Sequence, residues 1–125
     1  MIVAAILFSA FIGIVVIFQL ALAAGAPWGS AAMGGKYPGK LPPAMRVSAL
    51  IQVLILALFA SIVLSKSGII WSEWHSFASA AIWFVVGFLA LNIVLNTITR
   101  SKWERIIWAP IALVLFITSV IVAVG

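Results

Sequence analysis

The chain has no cysteine and no aspartate, and its only carboxylate side chains are Glu73 and Glu104. Without cysteine it forms no disulfide, no thiolate metal site and no cysteine nucleophile. Its single histidine, His75, lies two residues from Glu73, and such a pair is typical of the lipid headgroup level rather than of a metal or proton site. Acid–base and nucleophilic catalysis both need a positioned pair of reactive groups. We therefore expect no catalytic residues, no metal and no cofactor, and a protein that is not an enzyme.

Charged residues are also missing from four long apolar runs. A helix of about 20 apolar residues, rising about 1.5 Å per residue, crosses the hydrocarbon core of a bilayer. Because 66% of the residues are hydrophobic and 7% are charged, little is left for a soluble domain. We expect residues 2–24 to be a retained span, since a signal peptide would have basic residues before a shorter apolar stretch. The sequence predicts an all-α integral membrane four-helix bundle, a single domain with spans at about 2–24, 47–64, 76–97 and 102–124 and a connection at 25–46.

Lysine and arginine are distributed unevenly between the connections. The first connection contains Lys36, Lys40 and Arg46, the second contains Lys66, and the third contains Arg100, Lys102 and Arg105. Short loops rich in these residues stay in the cytoplasm. We therefore expect a multi-pass protein of the cell (inner) membrane, with both termini outside and the first and third connections inside. The basic residues favour the bilayer's anionic headgroups as partners, and we expect no nucleic acid partner.

The first connection is rich in glycine and proline, and it also contains Trp28, Tyr37 and Leu41. Glycine permits positive φ and proline fixes φ near about −65°, so the segment favours a series of defined turns over a continuous helix. Its aromatic and apolar residues would be exposed beside the membrane if the segment were mobile. We expect it to be ordered and to pack against the start of the fourth helix.

Two sequence signals mark the beginning of the fourth helix. Ser101 and Glu104 have the spacing of a capping box, in which the hydroxyl and the carboxylate both accept hydrogen bonds from free backbone N–H groups. Pro110 follows about two turns later, where it removes a backbone hydrogen bond and should kink the helix. The sequence therefore predicts a capped helix that is disturbed near Pro110.

Strongly polar side chains occur at four positions within the spans, all in the expected cytoplasmic half: Gln19, Gln52, Asn92 and Asn96. One interpretation is that these amides only join helices, since an amide in hydrocarbon needs a partner, at about 1 kcal/mol per hydrogen bond. The other is a small polar pocket that opens to the cytoplasm beneath the first connection. The mouth of that pocket would carry Arg46, Arg100, Glu104 and Arg105. These eight residues form the candidate binding site.

A sequence pattern runs through the connections and the third span. It comprises GAPWG at 25–29, GGKYPGKLPP at 34–43, Arg46, Gln52, Asn92, Asn96 with Thr97, the S-x-x-E-R segment from Ser101, and Trp108 with Pro110. In this pattern the chain resembles a group of small four-span membrane proteins, mostly bacterial. The resemblance covers about residues 25–110, and it implies a four-helix membrane protein without implying an activity.

Two classes of function remain open. The leading hypothesis is a non-enzymatic binding, accessory or assembly component, acting as a homo-oligomer or with a larger membrane partner. The alternative is a small oligomeric transporter or channel for a neutral or weakly polar solute, since ion-coupled carriers usually need an ionisable group near the middle of the membrane. A membrane enzyme is the third and weakest hypothesis.

Overall fold

Four long α-helices make up most of the computed structural model, which describes residues 1–99 and 101–125. In chain order they are α1 at Ile2–Ala24, α2 at Pro43–Ser67, α3 at His75–Ile98 and α4 at Ala109–Val124. The described residues form no strand. All four helices, the last two together with the turns that precede them, are long and apolar enough to cross a membrane. The predicted all-α four-helix bundle is confirmed, and the chain has the make-up of a multi-pass membrane protein.

Glycine and proline set the ends of the first two helices. Gly25 (φ 103°) and Gly68 (φ 84°) follow α1 and α2 in the left-handed conformation, and their N–H groups bond to carbonyls of the preceding turn. Glycine adopts this conformation without the steric cost of a side chain. Pro43 begins α2, where a backbone N–H is not needed. α2 extends beyond the predicted span 47–64 at both ends. The prediction was based on the apolar run alone and therefore left out the polar residues in the first and last turns of the helix.

The helices form a ring in which each packs against the next and α4 closes on α1. The largest core cluster lies in the half of the bundle next to the chain termini, where Phe8, Phe59, Ile82 and Val122 are buried. Many large apolar side chains on the outside of the ring are exposed. In a bilayer these outward-facing side chains contact lipid.

The other end of the bundle carries the connection between α1 and α2, residues 25–42, which we call the lid. We call this end the basic end, because the basic residues of the first connection lie there with Lys102 and Arg105. A second core cluster of Leu22, Ala32, Leu41 and Ala49 joins the lid to α1 and α2. Its buried apolar contacts hold the lid against the bundle.

The chain enters α4 through a π-helical turn at Glu104–Trp108. Pro110, in the first turn of α4, has no N–H to donate to the carbonyl of Ile106, and its ring crowds that carbonyl. A π-helical turn contains one extra residue and widens the backbone locally. This widened turn lies directly on the N-terminal side of Pro110, and the kink expected there stays a prediction.

Candidate functional site

A cavity of about 380 Å³ lies inside the basic half of the bundle, between the large core cluster and the lid. All four helices, the lid and the π-helical turn contribute to its wall. This volume falls within the range of about 300–1,000 Å³ that is usual for small-molecule sites. The polar part of the lining consists of Gln19, Gln52, Asn92, Asn96 and Glu104.

The four amides, which we call the amide layer, form two hydrogen-bonded pairs. Gln19 Nε2 donates to Gln52 Oε1 at 2.9 Å, which joins α1 to α2. Asn96 Nδ2 donates to Asn92 O at 2.8 Å and also to Asn92 Oδ1 on the same face of α3. The structure thus brings all four predicted amides to one cavity and pairs them only in part.

Several hydrogen-bonding atoms of the amide layer are left unused. Gln19 Oε1 is buried without a partner among the described residues. Within the same residues, Gln52 Nε2, Asn92 Nδ2 and Asn96 Oδ1 also make no hydrogen bond. An amide offers two donors and two acceptor lone pairs, and an unpaired polar group away from water costs about 1–3 kcal/mol. The amide layer therefore retains donors and acceptors for a molecule in the cavity.

Aromatic rings form the wall of the cavity on the side of α1 and α4. The ring of Phe18 lies 4.6 Å from that of Trp108 and 6.2 Å from that of Trp28, centroid to centroid, and it stacks on Trp28. Phe18 and Trp108 line the cavity, as does Phe88 on α3. The cavity therefore combines an apolar aromatic wall with a polar layer, as small-molecule sites commonly do.

The lid closes the basic end of the cavity through Ala31, Ala32 and Met33. Three hydrogen bonds tie it to the start of the fourth helix: Ser101 Oγ donates to Ser30 O at 2.6 Å, Trp108 Nε1 donates to Ala31 O at 2.9 Å, and Gly34 N–H donates to Glu104 Oε1 at 2.6 Å. The expected packing of the first connection against this helix start is confirmed.

Gly29 fixes the fold of the lid itself. Its N–H donates to Gly39 O at 2.8 Å, which brings the two ends of the lid together. A Cβ at this position would lie 1.9 Å from Tyr37 O and 2.6 Å from Gly39 O. Such distances are far inside van der Waals contact, so only glycine fits here without moving the backbone.

Glu104 differs from the sequence prediction in what its carboxylate does. Ser101 Oγ accepts the hydrogen bond from Glu104 N–H at 3.3 Å, as a capping residue does. The carboxylate does not return to Ser101 N–H, which bonds to Thr99 Oγ1 instead. It accepts from Gly34 N–H and, at 3.3 Å, from the Thr99 hydroxyl. Only half of the capping box forms, because the carboxylate holds the lid.

Two of the three arginines expected at the mouth of the pocket, Arg46 and Arg105, do not line it. Arg46 Nε donates to Ala23 O at 2.8 Å, and Arg105 donates through its guanidinium to Thr99 O at 2.5 Å. Both carbonyls lie at or just beyond the C-terminal end of a helix, where no intrahelical donor is available and a cation is favoured. Arg100 lies outside the described residues. Of the four residues predicted for the mouth, the cavity lining includes Glu104.

Sequence reasoning missed the aromatic and apolar part of the site. Phe88 lies four residues before Asn92, and Trp108 lies four residues after Glu104, so each shares a helix face with a predicted site residue. Val15 lies four residues before Gln19 in the same way. This four-residue spacing from a predicted site residue could have identified all three residues from the sequence. No residue spacing of this kind predicts which part of the lid backbone lines the cavity.

The end of the bundle next to the termini contains different polar contacts. Lys66 is buried there, and its Nζ donates to Gly125 O at 3.0 Å.

The described residues contain no group of three or more histidine, cysteine or acidic side chains that could hold a metal ion. No protein-family model, curated protein or solved structure matches the chain. The resemblance to small four-span proteins therefore stays a prediction.

Proposed function

We propose that this chain is a non-enzymatic binding protein of the cell (inner) membrane, which holds a small uncharged molecule in the cavity beneath the lid. The lid lies on the cytoplasmic side and both termini lie outside, because Lys and Arg are concentrated in the first and third connections. The chain works in the bilayer as a homo-oligomer or with a larger membrane partner, to which it supplies the bound molecule.

The unused hydrogen-bonding atoms of the amide layer are the observation that carries this proposal. If the amides served only to join helices, their donors and acceptors would be expected to pair with one another. Gln52 Nε2 and Asn92 Nδ2 are free donors, and Gln19 Oε1 and Asn96 Oδ1 are free acceptors, among the described residues. A hydroxyl or amide group of a ligand can satisfy both kinds. An uncharged ligand also avoids the cost of placing a charge among apolar walls.

The floor of the cavity favours binding over conduction. Leu89 and Leu115 line the cavity and also belong to the large core cluster, in which both are buried. Beyond them the core continues through Phe59 and Ile82 toward the termini. A wet path across the membrane would have to pass through this packed region. A cavity with a packed floor supports a binding role more than the alternative of a transporter or channel.

The chemistry of the lining also favours binding over catalysis. Among the described residues, Glu104 is the one ionisable side chain in the lining, and its carboxylate already accepts two hydrogen bonds. General acid–base catalysis needs a group that is free to exchange a proton with a bound substrate. An engaged carboxylate beside amides supports a role in recognition.

Photolabelling of the purified full-length chain in detergent tests the binding role. Octanol carrying a diazirine serves as the probe, and labelled peptides are located by mass spectrometry. We expect labels on Phe18, Trp108 and neighbouring cavity residues. Asn92→Leu should lower this labelling about tenfold, which corresponds to about 1.4 kcal/mol of lost binding. Leu54→Met, on an exposed face of α2, is the matched control and should not change it. Equal labelling of the Asn92→Leu variant and the parent would overturn the proposal.

Cysteine accessibility tests the orientation separately, and the absence of native cysteine keeps the background low. Lys36→Cys lies in the lid and Ser72→Cys lies in the second connection, and both positions are exposed. A membrane-impermeant maleimide on intact cells should label Ser72→Cys and leave Lys36→Cys unlabelled until the cells are opened. The reverse pattern would place the lid outside.

A further inference from the structure

The wall of the cavity is not equally thick all round. Three lining side chains are more exposed than the rest of the wall: Ile55 at 37%, Phe88 at 37% and Leu95 at 53%. All three belong to α2 or α3. The lining residues contributed by α1 and α4 are buried or half-buried, and Ala112 and Leu115 of α4 are almost completely so. The cavity is therefore closest to the surroundings along the contact between α2 and α3, which we call the seam.

The seam faces hydrocarbon rather than water. Ile55 lies nine residues beyond Arg46, which corresponds to about 13 Å along the helix. Leu95 lies three residues, or about 5 Å, before α3 ends at Ile98, and its exposed neighbours Leu91 and Ile98 are apolar as well. The lid covers the basic end and is bonded there to Ser101, Glu104 and Trp108. A molecule that passes through the seam thus comes from the lipid.

We propose that the ligand is an uncharged single-chain amphiphile that enters sideways from the bilayer between α2 and α3. This proposal rests on the binding role proposed above and deepens it. The hydroxyl or amide head lies among the amides, where free donors and acceptors are both present. The alkyl tail passes between Ile55 and Leu95 into the surrounding lipid. Long-chain alcohols, monoacylglycerols and fatty amides have this chemistry.

The charge of the lining argues for a neutral head. Glu104 contributes a carboxylate to the cavity wall, and the described lining contains no basic side chain to offset it. A fatty acid or a phospholipid phosphate would bring a second negative charge into the same low-dielectric space. Like charges repel strongly there and each loses its hydration. The same amides bind an uncharged head without that cost.

A disulfide that fixes the lid in place distinguishes access through the seam from access past the lid. A Cβ at Gly35 would lie 3.4 Å from Ser101 Cβ, close to the about 3.5–4.5 Å that a disulfide requires. The double variant Gly35→Cys/Ser101→Cys therefore locks the lid onto the start of the fourth helix when oxidised. Gly35 has φ 74°, so cysteine is strained at this position. The reduced form of the same variant carries the same strain and is the matched control.

The test follows the loading of diazirine-bearing hexadecanol from vesicles into the reconstituted protein, with cavity labelling measured at successive times. We expect the oxidised and reduced forms to load at rates within about twofold of each other, because the lid is not on the route. Leu95→Trp should slow loading about tenfold by filling the seam. Val94→Trp, at the same depth on an exposed face outside the cavity lining, should leave the rate unchanged. Ile55→Trp repeats the test from α2.

Two results would overturn lateral access. One is a locked lid that stops loading, and the other is a pair of seam variants that load at the parent rate. Fatty acid that labels the cavity as well as hexadecanol does would overturn the neutral head. Failure of the underlying binding role looks different, because octanol would then leave the cavity unlabelled in detergent, where it has access from every side.

Discussion

The two halves of the bundle use the same four helices but are filled differently. In the half next to the termini, large side chains such as Phe59 and Ile82 pack into a continuous core. In the basic half, Gln52 and Asn92 surround a cavity that the lid covers. The same four helices surround both halves, and the halves differ in their side chains and in the presence of the lid.

Side-chain polarity accounts for much of this difference. The wall of the cavity contains Gln19, Gln52, Asn92, Asn96 and Glu104, whereas the core of the other half consists of apolar side chains such as Phe59 and Ile82. The comparison teaches that this bundle gives up packing at one depth and replaces it with polar groups and a fixed cover.

The largest test of the comparison replaces the same residue type in each half. Ile82→Ala removes a side chain that is 0% exposed in the core, and we expect a loss of about 2–4 kcal/mol in the free energy of unfolding. Ile55→Ala removes one that borders the cavity and the lipid, and the loss should stay below about 1 kcal/mol because fewer contacts disappear. Unfolding in mixed micelles with increasing SDS measures both. Equal losses would mean that the basic half is packed as tightly as the core.

The next test disrupts the fold of the lid and leaves the four helices unchanged. Gly29→Ala places a methyl group where Tyr37 O already lies, so the lid should lose its fold. We expect trypsin to cut after Lys36 or Lys40 about tenfold faster than in the parent, because cleavage follows local opening. Gly87→Ala is the control, since a Cβ there meets nothing within 4 Å. Cutting of the Gly29→Ala variant at the parent rate would show that the lid does not depend on this close approach.

A smaller effect is expected from the single carboxylate that holds the lid. Glu104→Ala removes the acceptor of Gly34 N–H, and tryptic cutting of the lid should rise about threefold to tenfold. Glu104→Gln keeps an acceptor oxygen without the charge and should stay within about threefold of the parent. Glu73→Ala, at the other end of the bundle, serves as the control. If Glu104→Gln were cut as fast as Glu104→Ala, charge rather than geometry would hold the lid.

Much of the fold follows from the sequence because the bilayer restricts the choices. Backbone groups in hydrocarbon must bond within a helix, so four apolar runs lead to four helices with few alternatives. The depth of the amides follows from the helical rise in the same way. The packing of the lid against the start of the fourth helix could also be expected, since Trp28, Tyr37 and Leu41 would be exposed beside the membrane in a mobile segment.

The details of the candidate site depended on information that a sequence pattern does not contain. The spacing of Gln19 and Gln52 gives their depth, but their hydrogen bond depends on how α1 and α2 are rotated toward each other. Tryptophan is common at the border between membrane and water, which would place the indole N–H of Trp108 among lipid headgroups. It donates instead to Ala31 O and so holds the lid. The charge of Arg46 was compatible with a position at the mouth of the pocket. Its Nε–H instead donates to the carbonyl of Ala23, near the end of α1. Each outcome was decided by a competing partner from a distant part of the chain.

The smallest expected effect concerns the hydrogen bond between Gln19 on α1 and Gln52 on α2. A double-mutant cycle of Gln19→Leu and Gln52→Leu should give a coupling energy of about 0.6–1 kcal/mol, because the helices unfolded in a micelle also find polar partners. The cycle of Gln19→Leu with Asn92→Leu is the matched control, since these two side chains share the cavity without a mutual hydrogen bond. Its coupling should fall within about 0.3–0.5 kcal/mol of zero. Equal coupling in both cycles would mean that the amides act as one network that closes the cavity, and the free donors needed for a ligand would then be engaged.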